Sequence, residues 1–163
     1  MGFNFQTPER RAFQKNPKRR KKWLEQEWPQ LQKRAIAERA FILFQDECSV
    51  SLNPHTGKTW ARMGRTPRIK TSSSKGSIGV ISAISRSGKL HFSRTSGRVD
   101  SKEFIKFLEK ILKQIPRKRI LIALDNCSSH KSKLTLDCIE LNSRLELRFL
   151  PPYSPNFNPD EKI

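Results

Sequence analysis

Ile120-Leu121-Ile122-Ala123-Leu124-Asp125-Asn126-Cys127-Ser128-Ser129-His130-Lys131 carries an unbroken apolar run into a carboxylate and then into a polar turn. A run this short and this continuous reads as a strand, and it can supply part of a hydrophobic core. On either side the period becomes helical. Phe104, Ile105, Phe107, Leu108, Ile111 and Leu112 form the apolar stripe of a helix that Asp100 or Ser101 can cap. Ser128 or Ser129 can cap a second helix reaching about Leu141, and Leu145 to Leu150 is a final strand. Upstream, Ala40 to Val50 reads as a buried strand. Lys58 to Ile69 reads as a second, broken at Gly64 and Pro67, and Ile78 to Ser85 as a third. Leu90 to Thr95 is a fourth, after a Ser87-Gly88 hairpin turn. The order is an antiparallel meander of three to four strands, then αβαβ and the start of a last helix. Residues 41–163 are therefore expected to form one mixed α/β domain.

Residues 1–40 read differently, as a basic N-terminal arm and linker helices. Residues 1 to about 16 are polar and broken by Pro8, which predicts a loose arm. Trp23, Leu24, Trp28, Leu31, Ala35 and Ile36 recur at helical spacing between Lys18 and Arg39. Pro29 interrupts them, and a proline starts a helix more easily than it sits inside one. The whole chain has 163 residues, of which 35% are hydrophobic, enough for a packed core. No apolar stretch approaches the roughly 20 residues that cross a bilayer, and the N-terminus has no signal-peptide core. Cys48, Cys127 and Cys138 cannot all pair and make no CxxC. That pattern suits a reducing compartment without disulfides or a cysteine-rich zinc site. The expected location is cytoplasmic and nucleoid-associated, with no membrane contact.

Charge narrows the partner. Thirty-three Lys and Arg against fifteen Asp and Glu give a formal charge of +18. No acid occurs between Glu47 and Asp100, where Lys58, Arg62, Arg65, Arg68, Lys70, Lys75, Arg86, Lys89, Arg94 and Arg98 all fall. A second cluster is Lys18-Arg19-Arg20-Lys21-Lys22; it reads equally as a solvated helix face or a phosphate-contacting one. A polyanion is the natural partner of such a surface, because each neutralised phosphate releases counterions.

With so few acids, their positions carry information. Asp46 lies inside the first strand, Asp125 ends the strand Ile120 to Leu124, and Glu161 follows the proline-rich segment after the last strand. Strand ends of α/β sheets are where sites collect, and an acid abutting apolar runs needs a partner or a metal. Each has a plainer reading too. Asp125 can cap a turn, and Asn158, Pro159 and Glu161 can form a helix-capping box. Glu47 alternates to the face opposite Asp46 and reads as structural. Asp160 could replace Glu161 by a one-residue shift, His130 reads as a cap or surface histidine, and Trp60 reads as core.

Three segments taken together say more. Phe44-Gln45-Asp46-Glu47, Leu124-Asp125-Asn126-Cys127-Ser128-Ser129-His130-Lys131 and Leu150-Pro151-Pro152-Tyr153-Ser154-Pro155-Asn156-Phe157-Asn158-Pro159-Asp160-Glu161 strongly resemble the signatures of mariner-like DDE transposases, in their bacterial insertion-sequence branch. Thirty-six positions separate Asp125 from Glu161, close to that family's spacing. Lys58-Thr59-Trp60-Ala61-Arg62-Met63-Gly64-Arg65-Thr66-Pro67 resembles its Trp-containing second strand. The resemblance implies a ribonuclease H-like fold. It makes Asp46, Asp125 and Glu161 the catalytic and metal-binding acids for two divalent ions, Mg²⁺ or Mn²⁺. Hard cations of that kind prefer carboxylate oxygen, and a pair of them serves in-line phosphoryl displacement.

The implied partners are double-stranded DNA, as element ends and target, and a second copy of the chain on paired ends. Lys58, Arg62, Arg65, Arg68, Lys70, Asn126 and His130 are the candidate DNA contacts. Two departures from the family follow. Residues 1–40 contain no evident helix-turn-helix pair, and the helix that should carry Glu161 meets the end of the sequence at Ile163. The expectation is thus a transposase catalytic domain lacking its last helix. A catalytically dead DNA-binding remnant, or another ribonuclease H-like nuclease, fits the same residues.

Overall fold

The computed structural model describes residues 16–52, 57–69 and 76–162. The expected loose arm and Lys70 lie outside those residues. Five strands form one sheet: β1 (Phe41–Ser51), β2 (Ser77–Ser85), β3 (Leu90–Ser96), β4 (Ile120–Leu124) and β5 (Leu145–Phe149). Their spatial order is β3-β2-β1-β4-β5. β1, β2 and β3 pair antiparallel, while β4 runs parallel to both β1 and β5. Every residue of β4 is buried, as its unbroken apolar run requires.

Alternation along the strands divides the core in two. Leu43, Ile81, Ile120, Ile122 and Leu124 pack beneath α3 (Ser101–Gln114), which inserts Phe104, Phe107, Leu108 and Ile111. Asp100 caps α3 by accepting the Glu103 N–H at 2.9 Å. On the other face Ile42, Phe44, Leu121 and Ala123 meet Trp23, Leu31 and Ala35. Trp23 comes from a π-helical turn (Trp23–Glu27) that follows α1 (Pro17–Lys22), and Leu31 and Ala35 come from α2 (Trp28–Ala37). Glu146 on β5 anchors this layer. It takes Arg34, Arg119 and Arg148 at 2.6, 2.9 and 2.5 Å, and Arg119 also reaches Glu38 at 3.0 Å.

Several expectations need correction. Lys58 to Ile69 forms no strand: residues 57–69 are exposed, with Gly64 at φ +76 inside a turn. Trp60 and Met63 are fully exposed, so Trp60 is not core. Three apolar residues scattered among cations offer no face to bury, and no neighbouring strand pairs with them. Pro29 does start a second helix, as expected, but a π turn rather than a break precedes it. The π turn ahead of it runs the Trp28 N–H to the Trp23 carbonyl, and Pro29 then occupies the first turn of α2, where its missing N–H leaves nothing unpaired. The helix after β4 starts later than expected. Ser128–Lys131 is a 3₁₀ turn, and α4 (Lys133–Glu140) is capped by Ser132, which accepts the Thr135 N–H at 3.2 Å. No helix of the described residues is long and apolar enough to cross a membrane.

Candidate active site

Strand register brings two carboxylates together. Phe44 pairs with Ala123 across the parallel β1–β4 ladder. Asp46 and Asp125 each lie two residues further on, so they leave adjacent strands at the same level and on the same face. Asp46 is partly buried, and one of its oxygens accepts the Glu47 N–H at 2.8 Å. Burial pushes its carboxyl above the usual range, and the nearby charges of Glu161 and Asp125 push it further. Asp125 behaves in the opposite way. His130 beside it holds its carboxyl below the usual range against partial burial, aided by the Cys127 N–H at 2.8 Å. Both contacts fall on Oδ1, and Asp125 lines a cleft with Glu161.

The third carboxylate arrives through local prolines. Beyond β5, Tyr153 turns the chain at φ +54, and Pro155–Phe157 and Pro159–Lys162 form successive 3₁₀ turns. Asn158 docks them. It is 2% exposed, its Nδ2 donates to the Gln45 carbonyl at 2.8 Å, and its Oδ1 accepts the Asp160 N–H at 3.2 Å. The capping-box reading named Asn158 correctly as a cap, but its clamp onto β1 is a long-range contact that no local pattern encodes. Arg20 adds a second tie. Its guanidinium donates to Ser154 Oγ at 3.0 Å and Asn156 Oδ1 at 3.2 Å, and lies 4.4 Å over Phe157. Part of the Lys18–Lys22 run is therefore committed inside the protein rather than presented to a partner.

Asp160 and Glu161 separate cleanly. Asp160 is buried, accepts the Ser82 hydroxyl at 2.8 Å, and is pushed upward by burial despite that bond. Glu161 is exposed and lines both clefts flanking the site, one with Asp46 and Ser82, the other with Asp125 and Asn126. Glu47 points to the α3 face as alternation requires, and burial raises its carboxyl too. His130 is not a surface residue. It is 1% exposed, stacks on Phe104 with 4.4 Å between ring centroids, and sets Nε2 3.3 Å from Asp125 and 3.6 Å from Glu47. Asn126 is likewise occupied: Nδ2 donates to the Leu150 carbonyl at 2.6 Å and Oδ1 accepts from Lys131 at 2.6 Å. Among the expected DNA contacts, Lys58, Arg62, Arg65 and Arg68 are exposed.

The donor set fits a divalent cation. Glu161 faces Asp46 across one cleft and Asp125 across the next, and beyond the effect of burial the charges of Glu161 and Asp125 disfavour ionisation of Asp46. Oxygen-only coordination of this kind suits a hard ion such as Mg²⁺ or Mn²⁺.

Residues 41–163 match the DDE superfamily endonuclease family. The chain is 29% identical over 124 residues to the insertion element IS630 39 kDa protein of Shigella sonnei, covering 75% of this chain and 36% of that one. Its fold is similar to the Mos1 mariner transposase in its paired-end complex with Mn, with a TM-score of 0.66, 19% identity, and 99% of this chain covered. The isolated Mos1 catalytic domain superposes with a TM-score of 0.59 at 15% identity over 93% of this chain. The chain spans about half the length of the Mos1 chain in that complex, at 51%. The strand order, the parallel β1–β4 pairing and these likenesses establish a ribonuclease H-like fold, and the match over residues 41–163 places the chain in the DDE superfamily endonuclease family.

Proposed function

We propose that this chain is the catalytic part of an insertion-sequence transposase, in which Asp46, Asp125 and Glu161 together bind a pair of divalent ions, Mg²⁺ or Mn²⁺, and cut and join DNA. The observation that carries this reading is the convergence of three carboxylates from β1, β4 and the 3₁₀ turn beyond β5. The ions, when bound, supply Lewis acidity and an activated oxygen nucleophile for in-line displacement at phosphorus. The protein's own residues set the geometry. The Cys127 amide and His130 fix Asp125 through Oδ1. The Glu47 amide fixes Asp46, and Asn158 holds the Glu161 turn against β1.

Residues 41–163 are the catalytic unit in this reading, buttressed by α1 and α2. Duplex DNA, both element end and target, is held by Lys58, Arg62, Arg65, Arg68 and Lys70, and two copies of the chain act on paired ends. Mobility shift and nicking of DNA carrying the element ends test the proposal in one series. Asp125→Asn is expected to abolish Mn²⁺-dependent nicking while leaving the salt-sensitive shift intact. Undiminished nicking by that variant overturns the acid assignment. A shift without nicking by the unsubstituted chain in either metal favours a DNA-binding protein without catalysis.

A further inference from the structure

The opposite face of β1 carries a second group of ligand atoms with different chemistry. Glu47, Cys127 and His130 each present a potential metal-binding atom, and the three atoms lie within 4.8 Å of one another. They come from separate elements: the end of β1, the loop leaving β4, and the 3₁₀ turn after it. Two of these side chains contain buried polar atoms that nothing satisfies among the described residues. Glu47 Oε1 and His130 Nδ1 have no hydrogen-bond partner, and His130 is 1% exposed. The 3.6 Å separating Glu47 from His130 Nε2 is too long for a hydrogen bond. The nitrogen facing Glu47 is Nε2, and the buried, unpaired Glu47 Oε1 beside it calls for a ligand or an ion. A cleft of about 780 Å³ opens beside them, lined by Glu47, Arg98, Ser101, Cys127 and Ser129 among others, and gives an ion an entry path.

We propose that Glu47, Cys127 and His130 form a Zn²⁺ site of different ligand chemistry, adjoining the three-carboxylate site through the His130–Asp125 contact. Thiolate and imidazole select a borderline-soft ion, where Asp46, Asp125 and Glu161 offer oxygen alone. One carboxylate, one imidazole and one thiolate make three ligands, and water from the cleft completes a tetrahedron. Coordination deprotonates the Cys127 thiol and releases one proton to solvent for each ion bound. A single cysteine suffices here, so the absence of any CxxC does not exclude the site.

Cobalt titration of the whole chain provides the test, because Co²⁺ takes zinc sites and reports thiolate ligation by a charge-transfer band. The expected result is one equivalent of Co²⁺ with that band, displaced by Zn²⁺. Cys127→Ser is expected to remove the band and weaken Zn²⁺ binding by more than the roughly tenfold to hundredfold that loss of an outer-sphere partner costs. Cys48→Ser and Cys138→Ser leave it unchanged, which controls for the other thiols. Cys127 is only partly buried, so its serine variant should keep the metal-free unfolding midpoint of the parent. Asp46→Asn keeps the band, so failure of this site and failure of the three-carboxylate site are read separately. No band at stoichiometric Co²⁺, or a band that survives in Cys127→Ser, overturns the proposal.

Discussion

Asp46 and Glu47 are neighbours on one strand, yet they serve opposite faces of the sheet. Asp46 joins a cluster of oxygen donors with Asp125 and Glu161, over the layer built by α1 and α2. Glu47 turns into the α3 layer, beside an imidazole and a thiol. Both carboxyls are raised by burial, so the strand's position alone does not distinguish them. The two-residue alternation of a strand does. His130 stands between the two environments, within 3.3 Å of Asp125 and 3.6 Å of Glu47.

The sharpest way to break this contrast is to neutralise each acid in turn. Asp46→Asn should lower metal-dependent DNA nicking by at least about a thousandfold, equivalent to about 4 kcal/mol of lost transition-state stabilisation. Glu47→Gln should cost less than about tenfold, a loss worth under 1.4 kcal/mol. Equal losses in a nicking assay would dissolve the distinction between the faces. The same Asp46→Asn variant should raise the metal-free unfolding temperature, since its carboxyl is held above the ordinary value and is destabilised when ionised at neutral pH.

Packing on the Glu47 side comes next. Phe104 is fully buried under His130. Phe104→Ala should destabilise the fold by about 3–5 kcal/mol in denaturant titration. Leu141→Ala, at a residue 85% exposed, should change it by less than about 0.5 kcal/mol.

On the Asp46 side, Asn158→Ala removes the clamp between the last turn and β1. The expected loss is about 1–3 kcal/mol in stability, because the Gln45 carbonyl is left unpaired. Mn²⁺ affinity should fall with it, since Glu161 rides on the same turn.

A modest effect concerns Glu146, which lies away from both clusters. Burial raises its carboxyl, but the Arg34 hydrogen bond and the charges of Arg148, Arg34 and Arg119 outweigh that and hold it below the ordinary 4.5. A depressed carboxylate stabilises the fold above its unfolded value and loses that contribution as pH falls through the folded one. Wild-type unfolding free energy should therefore decline below about pH 4.5, by on the order of 1 kcal/mol for a partly exposed network. Glu146→Gln should flatten this part of the profile.

Legibility in the sequence followed burial. The bounds of β4 were readable, because five consecutive apolar residues are too short a run for a helix and end at a polar turn. The α3 stripe and its Asp100 cap were readable too. Lys58 to Ile69 was misread because Trp60, Met63 and Ile69 imitate a strand pattern while packing on nothing. The π turn before Pro29 and the late Ser132 cap depend on how neighbouring elements seat, which local pattern does not encode. Within the site, the motifs pointed to Asp46, Asp125 and Glu161, and the fold brings the other two carboxylates near enough to act on Asp46. The buried position of His130, the hydrogen bonds of Asn126, the Asn158 clamp and the use of Arg20 were not legible. Each is set by contacts across the fold, between residues such as Asn158 and Gln45 that lie far apart in the chain.

The account rests on three carboxylates acting as one hard-metal site. Its most direct test is a Mn²⁺ binding isotherm, followed by water-proton relaxation, for the wild type and for Asp46→Asn, Asp125→Asn and Glu161→Gln. The predicted result is saturable binding by the wild type and at least about tenfold weaker binding by each variant. Wild-type affinity retained in all three variants would contradict the account.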